Sequence, residues 1–186
     1  MQGAPVYVPF LDPHGLFNAW YAPVFYISVI GVMFLMLHFD LWPLTTSPAI
    51  MKQSVLGMVW TLIALVVGGA AFYIAVYTAG MDVVAFMVKV SVAFIFGTIV
   101  MLNMMQASLF ASRLKGVLSA ATAAFIGVVL SLIYGALAPT LTGQLTAGPP
   151  GYDFERWLTS ALLAVTFPLL VLYAEFFKFW PLQRAD

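Results

Sequence analysis

The chain has 186 residues, 63% of them apolar, 16% aromatic and only 8% charged, with a mean hydropathy of +1.04. Soluble domains carry roughly 25% charged residues, so a water-soluble domain of this length could not cover its surface, and the composition is that of an integral membrane protein. Seven basic and seven acidic residues cancel, so no basic stripe invites nucleic acid, and the lack of cysteine excludes disulfides, thiolate nucleophiles, iron–sulfur ligation and Cys-based zinc sites.

Residues 1–22 read as an extracytoplasmic, interfacial segment. No Lys or Arg precedes the first apolar run and no small-x-small pattern follows it, so a removable signal is not expected. Prolines mixed with Tyr7, Phe10, Leu16, Phe17 and Trp20 suit the headgroup region. The first spanning helix is expected over 23–39, between an aromatic anchor at Trp20 and Tyr21 and a second at Trp42. The next, over 55–79, holds no Asp, Glu, Lys, Arg or His. After Gly80, Met81 and Asp82 a third is expected over 83–108, interrupted only by Lys89. Arg113, Leu114 and Lys115 precede the fourth, over 116–138, which Pro139 is expected to stop. A loop rich in Gly, Pro and Thr then leads past Asp153, Glu155 and Arg156 to the fifth, over 157–176, with a kink expected at Pro168. Residues 179–186 form a short tail.

Each run reaches or approaches the ~20 residues that a 30 Å hydrocarbon slab requires at 1.5 Å per residue. Transmembrane β-strands would alternate apolar and polar residues, whereas these runs are apolar on every side. The fold class is therefore all-α, a polytopic bundle of five transmembrane helices spanning 23–178. With that count, Lys52, Arg113, Lys115, Lys178 and Arg184 share one face and Arg156 lies on the other. This asymmetry predicts a multi-pass protein of the cell (inner) membrane with its N-terminus outside and its C-terminus in the cytoplasm.

Function in such a chain concentrates at its few intramembrane polar residues. Lys89 lies six residues past Val83, about 9 Å along a helix. It is either a structural lysine that reaches toward the surface and pairs with Asp82, or part of a substrate or proton route. Glu175 is the mirror case near the inner end of the fifth helix, with Lys178, Arg113 and Lys115 as its candidate partners. Asn103 and Gln106, one turn apart, suit hydrogen bonding between helices. Gly68-Gly69-Ala70-Ala71, Gly97 and Gly127 would allow close backbone approach. Phe39-Asp40-Leu41-Trp42-Pro43-Leu44 echoes Phe177-Lys178-Phe179-Trp180-Pro181-Leu182, a pattern that helix exits at an interface also produce.

Metal chemistry has little to build on. Only His14 and His38 are present, and the expected topology places them on opposite sides, so a bis-histidine haem within one chain is not expected. Asp12 with His14 makes at most half of an outer metal site that another subunit would complete, and His38 beside Asp40 reads as an interfacial polar pair. There is no G-x-S-x-G, no H-E-x-x-H and no phosphate-binding glycine loop, so enzyme activity by this chain alone is not expected, and no cofactor is identified. The leading expectation is a non-catalytic membrane subunit, in contact with the bilayer and with other subunits or copies of itself. The alternative is a small oligomeric carrier or channel using Lys89, Asp82, Glu175, Asn103 and Tyr134, and the third is a subunit that completes a metal or quinone site with a partner.

Overall fold

The computed structural model describes residues 21–102, 114–149 and 151–177. Asp12, His14, Asn103, Gln106, Arg113, Lys178, Arg184 and most of the second Trp-Pro copy lie outside the described residues. Among the described residues five helices are long and apolar enough to cross a membrane: α1 Tyr21–His38, α2 Gln53–Thr78, α3 Val83–Val100, α4 Lys115–Thr142 and α5 Asp153–Phe177. No strand occurs among the described residues. The chain is a multi-pass, all-α membrane protein. Because each helix reverses the direction of the last, Tyr21, Thr78, Val83, Thr142 and Asp153 gather at one end of the bundle, and His38, Gln53 and Lys115 mark the other.

Two crossings of the bundle depend on a missing side chain. A β-carbon added at Gly97 in α3 would run into the Ala123 carbonyl of α4, and one at Gly127 would run into the Ala93 carbonyl of α3. Ala93, Gly97, Ala123 and Gly127 thus form two small-residue ladders with four-residue spacing that let these backbones touch, the device by which helices associate when lipid removes the hydrophobic drive between them. At the α1–α2 crossing a β-carbon on Gly68 would stand 2.8 Å from the Val29 Cα. Gly116, at the start of α4, accommodates the ring of Phe39. The glycines that the sequence marks for close approach in α2, α3 and α4 are therefore found at crossings.

Prolines behave differently from expectation in α4. Pro139 does not stop the helix, which continues to Thr142 before Gly143 turns at φ 83°. Pro139 forfeits one ladder bond, and only three helical residues follow it. The Thr140 and Thr142 hydroxyls turn back onto the Leu137 and Ala138 carbonyls at 2.7 and 2.8 Å. In α5, Pro168 lies two residues past a π-helical turn, Leu162–Thr166, whose widened ladder accommodates the ring and the missing N–H. Similar π-helical stretches lie at Ile74–Thr78 and Met87–Val92.

The apolar core at the Tyr21 end joins α3, α4 and α5 through Val84, Val88, Val92, Phe96, Tyr134, Leu158 and Leu162. Half of α3 is buried, whereas α2 and α4 are mostly exposed. The central helix is α3, and among the described residues α2 packs mainly along the side that faces α1.

Candidate functional site

Two polar constellations emerge, one at each end of the bundle. At the Tyr21 end, α5 begins one turn earlier than its hydropathy indicates, at Asp153. Tyr152 adopts a left-handed conformation (φ 51°) just before it. Asp153 and Glu155 then occupy the first turn, where carboxylates complement the exposed N–H groups and the helix dipole. This shift carries Glu155 out of the expected loop and into the interior, where it is only 1% exposed. Glu155 shares a helix face with Leu158 and Leu162, so it stands at the edge of the core.

Lys89 enters from the π-helical stretch of α3. Its ammonium lies 3.4 Å from the Glu155 carboxylate and 5.6 Å from the centre of the Phe154 ring. The other Glu155 oxygen accepts the Gly148 backbone N–H at 3.1 Å. A buried carboxylate left alone is strongly disfavoured, and here a cation and a backbone donor offset its lost hydration. The expected pairing of Lys89 with Asp82 is replaced by Lys89 with Glu155. Asp82 serves elsewhere: it caps α3 by accepting the Ala85 N–H at 2.9 Å and takes the Tyr152 hydroxyl at 2.8 Å. Burial first, then the hydrogen bond to Asp82 and its charge, pushes the Tyr152 phenol up to about 12. Thr146 donates to Asp153 at 3.1 Å, and the Phe154 N–H reaches the Thr146 carbonyl. The connection between α4 and α5 is thus fastened across the end of α3. Some three turns deeper along α5, the Thr166 hydroxyl meets that of Tyr134 at 2.7 Å, and nearer the helix start the Trp157 indole donates to the Tyr134 carbonyl at 3.1 Å.

At the opposite end His38 is 3% exposed. Its Nδ1 lies 2.7 Å from the Ser119 hydroxyl of α4 and its Nε2 3.0 Å from the Thr98 hydroxyl of α3. A neutral imidazole with one N–H donates to one hydroxyl and accepts from the other, so a single side chain joins three helices. The expected pairing of His38 with Asp40 does not form. The chain turns left-handed at Asp40 (φ 51°), which sends Asp40 outward to Lys115 at 3.5 Å and leaves the imidazole inside. Both imidazole nitrogens are engaged by hydroxyls. Among the described residues no group of three or more His, Asp or Glu side chains stands close enough to hold a metal ion.

Glu175 is exposed and belongs to the His38 end. It lies twenty residues along α5 from Glu155, about 30 Å at helical rise. The structure therefore brings Lys89 to Glu155 and Tyr152 to Asp82, but not Lys89 to Glu175. Within α2, the Trp60 indole nitrogen is buried and finds no acceptor among the described residues.

No protein-family model, curated protein or solved structure matches the chain.

Proposed function

We propose that this chain is a non-catalytic subunit of a larger membrane assembly, seated in the cell (inner) membrane with its N-terminus outside and its C-terminus in the cytoplasm. The observation that carries this reading is the use of polar groups inside the spans. Lys89 is directed to Glu155, and His38 to Ser119 and Thr98, so these groups fasten helices to one another. A carrier built on Lys89 and Glu175 would need both to face one water-filled interior, whereas Lys89 is engaged with Glu155 and Glu175 is on the exposed surface of α5. The least buried helix supports the same reading. One side of α2 packs against α1, while Met58, Leu62, Val66, Tyr73 and Tyr77 are each 60 to 70% exposed, a wide apolar face available to neighbouring helices. The orientation rests on the bias of Lys and Arg in short loops toward the His38 end.

Photo-crosslinking in native membranes tests this. With a photoreactive residue at Met58 or Leu62, we expect a discrete adduct of fixed mass, and the same probe at Glu155, which faces the chain's own interior, should give none. Adducts to lipid alone from every α2 position would refute the subunit reading. Solute flux that disappears in Lys89→Met, with the fold intact, would replace it with the carrier reading.

A further inference from the structure

We infer that Lys89 is also the contact point for the phosphate of a phospholipid headgroup, bridging that phosphate to Glu155 at the Tyr21 end of the bundle. Depth comes first. Glu155 is two residues from the start of α5, about 3 Å along the axis. An ammonium 3.4 Å from its carboxylate therefore stands at the level of the helix ends. Tyr152 and Trp157 flank the same level, as aromatic residues do where hydrocarbon meets headgroups. The lysine stem runs toward this level because helical side chains lean toward the N-terminus of their helix.

Valence comes second. A lysine ammonium has three donors and no acceptor. Glu155 takes one and the face of Phe154 covers part of the group, yet 45% of the Lys89 side chain remains open. Val90, the next residue inward, is 44% exposed. The opening therefore has a cation at headgroup depth with an apolar surface beside and below it, which fits a phosphodiester above its acyl chain. Glu155 is enclosed behind the lysine and held by Gly148, so the arriving phosphate meets the cation before the carboxylate. The ligand chemistry is phosphate, and the acyl contact selects a lipid over the free ion.

The test uses the full chain in a maltoside micelle, titrated with phosphatidylglycerol, with diacylglycerol of the same chains, and with inorganic phosphate, while retained lipid is counted by native mass spectrometry. Phosphatidylglycerol should bind and diacylglycerol should not. Lys89→Gln should weaken binding about fivefold, the effect of one interfacial lysine, and Lys89→Arg should restore it. Because Lys89→Gln leaves Glu155 buried without its cation, Lys89→Gln combined with Glu155→Gln gives a neutral, foldable comparison, which should bind as weakly as the single variant. Glu155→Gln alone frees the ammonium and should bind more tightly than the native chain. Equal binding of diacylglycerol, unchanged binding in both Lys89→Gln variants, or displacement by inorganic phosphate would overturn the proposal. Carbodiimide coupling of Lys89 to an acidic side chain of another polypeptide in native membranes would also overturn it.

Discussion

Replacing Lys89 with Met removes the cation from a carboxylate that is only 1% exposed, and the loss of stability can be worked from the geometry. At 3.4 Å, with an effective dielectric constant of ~20, the gross Coulomb attraction is ~5 kcal/mol. Most of that is offset by the hydration Glu155 gives up and by screening of a lysine whose side chain is 45% exposed, which leaves a net coupling of about 1 to 2 kcal/mol. Lys89→Met should therefore lower stability by about 2 kcal/mol, since Glu155 retains only the Gly148 N–H. Glu155→Gln keeps an acceptor for that N–H and should lower it by about 1 kcal/mol. The double variant should be no worse than Lys89→Met alone, because the charge that the methionine abandons is gone. Reversible unfolding by dodecyl sulfate in mixed micelles, followed by tryptophan fluorescence, measures all three. Simple additivity of the two losses would show that the pair does not act as a unit.

At the α3–α4 crossing, Gly97→Leu should separate the helices and lower stability by about 3 kcal/mol or more, whereas Gly57→Ala, where an added β-carbon meets open space, should change it by less than about 0.5 kcal/mol in the same unfolding assay. His38→Leu should cost about 1 to 2 kcal/mol by removing both hydroxyl partners, and His38→Gln should recover part of the loss. Trp60→Phe deletes a buried indole N–H that has no acceptor among the described residues, and should be neutral or stabilising by up to about 1 kcal/mol; clear destabilisation would mean that the N–H has a partner. Tyr152 ionises at about 12 in the folded chain against an ordinary 10.0. The folded state favours the neutral phenol, so its contribution is complete below pH 10 and is lost as the pH rises toward 12. Difference absorbance of native protein against Tyr152→Phe should show this one phenol titrating late.

How much was legible in the sequence depended on range. The spans were readable because hydropathy is a local property, and the run through α2 contains no Asp, Glu, Lys, Arg or His. Gly97 and Gly127 were readable as points of close approach, since a residue without a side chain suits a crossing wherever its partner lies. Pro139 was misleading, because a proline forfeits its own ladder bond and can be carried within a helix without ending it. Glu155 was hidden by its neighbours. Asp153, Glu155 and Arg156 read as a polar loop, although acidic residues after Gly148-Pro149-Pro150-Gly151 are also a helix-start signal, and Glu155 falls in register with Leu158 and Leu162. His38 gave a comparable clue. It continues the buried stripe Val24, Ser28, Gly31 at helical spacing, which points inward and away from Asp40. The choice of partners was not readable. Lys89 to Glu155 and His38 to Ser119 are set by which helices pack together, and nothing in the local pattern of five apolar segments specifies that.

The subunit assignment is tested most directly by native mass spectrometry of the tagged chain extracted in mild detergent from its own membrane. The account predicts a complex of defined mass in which this chain is joined by one or more different polypeptides at whole-number stoichiometry. A monomer or pure homo-oligomer, stable and retained in full through the same extraction, would contradict it.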